Sequence, residues 1–159
     1  MSLPVRKPTR LPQYDYSTSG SYFVTFCTHN KEKLLGEVVG GGVYDAPQVE
    51  LSPFGVVVQK YLLQVTGDVS VDKFVVMPNH VHLLLTVDGC GSSQAPNPTN
   101  GAVPKFVSLL KRRCNRVWGR NIWQRSFYDH VVRNEKEYLR IWAYIDTNPA
   151  KWQDDRYYS

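Results

Sequence analysis

Cysteine is scarce in this chain of 159 residues, and long apolar runs are missing. The three cysteines, Cys27, Cys90 and Cys114, are scattered and never form a C-x-x-C pair, which argues against a disulfide framework and a cysteine zinc site. No segment approaches the roughly 18 unbroken apolar residues of a membrane helix, and residues 1–8 lack the apolar region of a signal peptide. We therefore expect reduced thiols, no membrane association and a cytoplasmic location.

Acidic residues are outnumbered by basic ones, 14 to 19, which leaves a net charge of +5. The excess is concentrated between residues 105 and 140, where ten lysines and arginines accompany only three acidic residues. Tryptophan, phenylalanine and tyrosine are interleaved with these cations, a pattern typical of proteins that bind nucleic acid through phosphate contacts and base stacking. A solvated basic surface without a partner is the alternative that charge alone leaves open.

A chain of this length with 42% hydrophobic residues is expected to form one domain over residues 1–159. Residues 1–12 form a proline-containing basic arm. Residues 88–102 are poor in apolar side chains and rich in Gly, Pro, Ser and Asn, so they are predicted to be a flexible surface loop within the domain. No internal repeat is present.

Runs of β-branched and aromatic residues predict four main strands and one short strand between turns. The predicted strands lie at residues 20–28, 72–77, 80–87 and 122–132, with the short one within 36–42. Between the second and third of these, Pro78 and Asn79 either kink one long strand or turn between two.

Helical periodicity predicts three helices. The first spans residues 51–65 with Ser52 as its cap, and the second spans 104–118. The third begins near Asn134, with a reciprocal glutamate three residues on, and cannot run far past Asn148 because a proline follows. The order of elements indicates an α+β fold: a ferredoxin-like antiparallel sheet covered by helices, with a C-terminal helix.

Two histidines, His80 and His82, stand one residue apart in an apolar run. Because strand side chains alternate, both point to one face, while Val81, Leu83 and Leu85 point to the other and into a core. Two neutral imidazoles side by side can hold one divalent metal ion. Satisfied polar histidines on a half-exposed sheet are the plainer interpretation.

Tyr144 and Asn148 are four residues apart on the predicted C-terminal helix and therefore share a face with Arg140. One helix could thus supply a phenol and a third metal ligand. Most helical tyrosines simply pack with a hydrated hydroxyl. The combination of a metal and a tyrosine nevertheless suggests phosphate ester chemistry.

Four motifs in a fixed order resemble those of the single-tyrosine HUH transposases, and more narrowly the REP-associated and IS200-like tyrosine transposases. They are Met77-Pro-Asn79 followed by His80-Val-His82, the run Ile122-Trp-Gln-Arg125, the run from Asp129 to Glu135, and Tyr144-Ile-Asp-Thr-Asn148-Pro149. The similarity extends from about Leu11 to Trp152, nearly the whole chain.

The resemblance implies that His80, His82 and Asn148 bind a divalent ion, Mg²⁺ or Mn²⁺, and that Tyr144 is the nucleophile. The implied substrate is single-stranded DNA beside a hairpin, cleaved and rejoined through a 5′-phosphotyrosine. Family members occur as monomers and as swapped dimers, so a homodimer is compatible with the sequence.

Basic residues in three regions are predicted to contact DNA phosphates, which positions DNA without reading its sequence. They are Arg6, Lys7 and Arg10 in the arm, Lys111, Arg112, Arg113 and Arg116 on the second helix, and Arg125 and Arg133 beyond it.

Two other functions remain open at this point. A sheet-based module could bind single-stranded nucleic acid without catalysis, with the histidines as surface polar groups. A replication-initiating HUH nickase is the second, although such enzymes often carry two tyrosines closer together than Tyr138 and Tyr144.

Overall fold

The computed structural model describes residues 20–41, 46–64, 69–87 and 101–158. The predicted basic arm, with Arg6, Lys7 and Arg10, lies outside the described residues, as do residues 88–100 of the predicted loop. The last two positions assigned to that loop belong to a helix: Gly101 is its N-cap and Ala102 its first residue. Within the described ranges, no helix has the length and apolar character needed to cross a membrane.

Six strands and three α-helices make up the described fold. The strands are β1 (Gly20–Cys27), β2 (Gly36–Val39), β3 (Gln48–Leu51), β4 (Val69–Val76), β5 (His80–Val87) and β6 (Tyr128–Val132). The helices are α1 (Pro53–Leu63), α2 (Ala102–Trp118) and α3 (Glu135–Asp146), and a 3-10 helix, Pro149–Asp154, follows the last of them.

Four strands form an antiparallel sheet in the order β4-β5-β1-β6. Along the chain, α1 lies between β1 and β4, and α2 lies between β5 and β6. This is the split βαβ arrangement of a ferredoxin-like fold, as predicted. The Pro78–Asn79 pair makes a turn between β4 and β5, and Cys27 pairs with His80 at the start of β5, beside that turn.

The two faces of the sheet have different roles. Tyr22, Val24 and Phe26 of β1 join the odd-numbered apolar residues of β5 in one hydrophobic core, which α1 and α2 cover. The opposite face carries Phe23 and Thr25 together with the two histidines, and α3 packs across it. The alternation predicted for β5 is therefore confirmed.

Capping residues explain where two helices begin. Ser52 accepts a hydrogen bond from the Gly55 amide at 3.2 Å, and Pro53 occupies the first turn of α1. Asn134 accepts from the Glu137 amide at 2.8 Å. The expected reciprocal bond differs, because the Glu137 carboxylate accepts from the Arg133 amide and pairs with His130.

Two predicted strands are corrected by the structure. Of the predicted strand 122–132, only Tyr128–Val132 pairs in the sheet, while Trp123 makes an isolated bridge to Thr28. The aromatic residues that suggested a strand instead fill the core: Trp123 packs against Phe26 at a ring separation of 4.9 Å. The short strand predicted within 36–42 is one half of a hairpin, β2 with β3, whose second half the prediction missed.

Candidate metal and tyrosine site

The His-x-His pair lies at the start of β5, and both rings are buried, with 0% and 1% of their surface exposed. The Nε2 atoms of His80 and His82 face each other at 3.1 Å. The open sheet face expected from the sequence is thus covered, because α3 and the segment after it pack over the histidines.

Each histidine is oriented through its other ring nitrogen. His80 Nδ1 lies 2.7 Å from Asn79 Oδ1, and His82 Nδ1 lies 2.7 Å from Thr25 Oγ1. The Asn79 amide group donates to the carbonyl oxygens of Lys31 and Tyr157, which leaves its oxygen to accept the His80 Nδ1 proton. His80 Nε2 therefore carries a lone pair, the form that binds metals.

Burial keeps both imidazoles neutral. Desolvation lowers the pKa of His80 to about 3, against a smaller opposing effect of Asn148. Desolvation also lowers the pKa of His82 well below its ordinary value, and the neighbouring His80 and Arg156 add to this. Because both rings are neutral, neither holds the extra proton of an imidazolium that would have to be lost before a metal binds.

Two oxygen atoms near the imidazoles could complete a metal site. Asn148 Oδ1 and Asp155 Oδ2 are buried and make no regular hydrogen bond with any residue in the described ranges. Asp155 Oδ2 lies 3.7 Å from His80 Nε2, and the ligand atoms of His80, His82 and Asp155 all lie within 4.8 Å of one another. Buried oxygens normally have partners, so two without them beside paired imidazoles fit a divalent cation.

Tyr144 lies beside this cluster on α3. Its ring centroid is 5.3 Å from that of His82 and 5.9 Å from that of Phe23, and 37% of the residue is exposed. Partial burial and the Asp155 charge raise the pKa of the Tyr144 phenol, while Asn148 and Arg156 act in the opposite direction. The phenol is thus accessible to a ligand and adjacent to the imidazoles.

An open pocket of about 320 Å³ is lined by both His82 and Tyr144. Its lining combines aromatic rings, two arginines and the two candidate site residues His82 and Tyr144. The lining residues are Phe23, Thr25, His82, Tyr128, Arg140, Ile141, Tyr144, Arg156 and Tyr157. Aromatic walls with a few convergent polar groups are typical of ligand sites.

The segment after the 3-10 helix completes one wall, which sequence reasoning missed. The Tyr157 ring lies over His80 at a centroid distance of 4.5 Å, and the Tyr157 amide donates to Asp155 Oδ1 at 2.8 Å. Burial raises the pKa of Tyr157 to about 12. Only the acidic and aromatic character of residues 154–158 could have drawn attention to this segment.

The residues predicted to contact DNA are not all free to do so. Arg112, Arg113 and Arg116 are exposed on α2, on the opposite side of the sheet from Tyr144. Lys111 is different: its ammonium group donates to the carbonyl oxygens of Gln124 and Ser126, at 2.9 Å and 3.2 Å. Desolvation lowers the Lys111 pKa to about 8.

The remaining two predicted contacts are exposed. Arg125 lies in the segment before β6, and Arg133 lies between β6 and α3. Neither lines the pocket that contains Tyr144.

Comparison with known proteins finds a relative that matches nearly the whole chain and another that matches about half of it. No family model matches the chain. A Haemophilus influenzae protein, described only as uncharacterized, is 32% identical over 173 residues, which cover 96% of this chain and 93% of that protein. A REP-associated tyrosine transposase of Escherichia coli is 28% identical over 81 residues, about half of either chain (51% of this one and 44% of that protein).

A solved structure has the same fold. It is a REP-associated tyrosine transposase bound to a REP hairpin, with 22% sequence identity and a TM-score of 0.58 over 89% of this chain and 73% of that one. The fold is therefore shared, and the named relative matches in sequence. Over about half of its length the chain is similar in sequence to REP-associated tyrosine transposases, and it has the fold of the one solved with a hairpin.

Proposed function

We propose that this protein cleaves and rejoins single-stranded DNA, with Tyr144 as the nucleophile and a divalent metal ion beside it. The observation that carries the proposal is the shared pocket: the Tyr144 phenol and the His82 imidazole line the same opening, with ring centroids 5.3 Å apart. A nucleophile and a metal-binding group must be this close to act on one phosphate.

His80 and His82 would hold the ion, with Asn148 or Asp155 as the oxygen ligand. Asn148 follows from the family motif, and the Asp155 carboxylate is the stronger ligand for a hard cation. Mg²⁺ and Mn²⁺ are the candidates, and two imidazoles suit Mn²⁺ better. When bound, such an ion supplies positive charge that polarises a phosphate and favours the phenolate.

The reaction of Tyr144 is a direct exchange of esters. Its phenolic oxygen attacks phosphorus, the bond from phosphorus to the 3′ oxygen breaks, and that oxygen takes up a proton. The products are a 5′-phosphotyrosine and a free 3′-hydroxyl. A second 3′-hydroxyl can reverse these steps on the covalent intermediate, so strands are rejoined without ATP.

We also propose a hairpin-containing DNA substrate. The related transposase solved with a REP hairpin supports this, as does the net charge of +5. Exposed Arg112, Arg113, Arg116, Arg125 and Arg133 are available for phosphate contacts. The arm residues Arg6, Lys7 and Arg10 are proposed for the same role from the sequence.

The test uses hairpin oligonucleotides drawn from the DNA that flanks the gene, incubated with protein and Mn²⁺. A label at the 3′ end reports the covalent adduct on a denaturing gel, and a label at the 5′ end reports the released strand. We expect both products with the native protein, and neither with Tyr144→Phe or with a chelator.

The matched control is Tyr138→Phe, on the same helix but outside the pocket, which should still form the adduct. DNA binding without either product, and unaffected by chelator, would instead identify a non-catalytic binding module. An adduct that persists in Tyr144→Phe would show that another tyrosine is the nucleophile.

A further inference from the structure

Two arginines of the tyrosine pocket form no ion pair with an acidic residue of the described ranges. Arg140 extends from α3, and Arg156 lies in the segment after the 3-10 helix. Three ion pairs are present in the described part of the chain, and they join other residues: Lys73 with Asp146, His80 with Asp155, and His130 with Glu137. Two positive charges thus line the pocket, and neither is paired with a carboxylate in the part of the chain that the structure describes.

The arginines lie at defined places relative to the reactive groups. Arg156 is on the metal side, because its guanidinium carbon is 5.1 Å from the Tyr157 ring, which itself covers His80. Arg140 is four residues before Tyr144 on the same helix face, which corresponds to about 6 Å along the axis. This is similar to the spacing of successive phosphates in an extended single strand.

The rest of the pocket matches a nucleotide strand. Phe23, Tyr128 and Tyr157 provide aromatic surface, and Tyr128 is 39% exposed at the rim. Alternating aromatic rings and guanidinium groups bind single strands through base stacking and phosphate contacts. An arginine can present two parallel N–H donors to one phosphate.

We propose that Arg156 binds the non-bridging oxygens of the phosphate that Tyr144 attacks, and that Arg140 binds the neighbouring phosphate of the same strand. The inference rests on the proposed function, and adds two residues to it that the sequence motifs did not single out as DNA contacts. Arg156 would oppose the negative charge that grows on the phosphate oxygens during attack, in the manner of an oxyanion hole. Arg140 would position the strand.

The test separates the two phosphates chemically. The cut position is first mapped with native protein, and two oligonucleotides are then made with one uncharged methylphosphonate each, at the cut or at the adjacent linkage. Binding is measured by fluorescence anisotropy in the Tyr144→Phe background, where no cleavage interferes. Arg156→Gln, Arg140→Gln and the control Arg120→Gln, at an exposed position beyond the end of α2, are compared.

Arg156→Gln is expected to weaken binding of the all-phosphate strand by about 10-fold or more, and to lower the salt dependence by about 0.7 per contact. The loss should disappear when the cut linkage is a methylphosphonate, and remain when the adjacent one is. Arg140→Gln should show the opposite selectivity, and Arg120→Gln should show no loss. In the presence of Tyr144, Arg156→Gln should slow single-turnover cleavage by about 100-fold.

Two results would overturn the assignment. One is that the arginine variants bind like Arg120→Gln. The other is that each loses the same affinity on all three oligonucleotides, which would show general electrostatic attraction without specific contacts. If native protein cuts no oligonucleotide, the proposed function itself is wrong, whereas cutting with unaffected arginine variants refutes the arginine assignment alone.

Discussion

His80 and His82 face each other through their Nε2 atoms at 3.1 Å. Two lone pairs at this distance would repel, so in the metal-free protein one nitrogen must carry a proton. Asn79 fixes the His80 proton on Nδ1, and the shared proton therefore belongs to His82. The Thr25 hydroxyl can donate to His82 Nδ1 in that form, and can accept from it once a metal displaces the Nε2 proton.

Thr25 should therefore matter for metal affinity. Thr25→Val keeps the shape of the side chain but removes the group that stabilises the metal-binding tautomer of His82. We expect Mn²⁺ to bind about 10- to 100-fold more weakly, as is typical when a hydrogen-bond partner of a ligating histidine is lost. Isothermal titration calorimetry without DNA would measure it, and unchanged affinity would show that Thr25 has no such role.

The oxygen ligand can be identified by comparing Asn148→Ala with Asp155→Asn. If Asp155 binds the ion, its substitution should weaken Mn²⁺ binding more than that of Asn148, because a charge is lost next to the cation. Electron paramagnetic resonance of bound Mn²⁺ would report both. A greater loss in Asn148→Ala would favour the ligand set of the family motif.

Stability should respond to pH through Lys111. Its pKa falls from 10.5 to about 8 in the folded protein, so between these values the unfolded chain binds more protons than the folded chain. The free energy of unfolding contributed by Lys111 should therefore rise as pH increases from about 8 to 10.5.

Urea titrations of the native protein and of Lys111→Met would measure this. The free energy of unfolding of the native protein minus that of the variant should increase over that pH range. Lys105→Met, at an exposed position of the same helix, is the matched control. A difference that is constant with pH would show that the ammonium group is solvated.

The hydrogen bond from Tyr138 to Asp72, at 2.8 Å, connects α3 to β4. Tyr138→Phe removes it and leaves the ring, so we expect a loss of about 1 kcal/mol in the free energy of unfolding. Cleavage should continue, because Tyr138 does not line the pocket. Chemical denaturation would measure the loss. A variant as stable as the native protein would indicate that water replaces the bond.

Local rules were sufficient to predict three of the four strands of the main sheet and the position of the histidines, but not the start of β6. The alternation of β5 puts His80 and His82 on one face. The four-residue spacing predicts that Asn148 lies near Tyr144, and the Asn148 side chain does reach the Tyr144 phenol, although α3 already ends at Asp146. These relations depend only on residues near in sequence, and the structure preserves them.

Other parts of the site depend on contacts between distant segments. Asp155 lies near His80 only because the chain turns back after Pro149, and no periodicity in residues 149–158 indicates that turn. Helical spacing assigns Lys111 to a basic surface, whereas in the folded chain its ammonium group donates to the carbonyl oxygens of Gln124 and Ser126. Such contacts cannot be read from helical spacing.

The wall formed by Asp155 and Tyr157 has a consequence during protein synthesis. The sheet and the imidazole pair can form as soon as β6 has left the ribosome, but the Asn79 side chain obtains its second carbonyl acceptor only when residue 157 emerges. A nascent chain therefore exposes the histidines before the pocket is closed. The proposed site would therefore be complete only once residue 157 has emerged and bonded to Asn79.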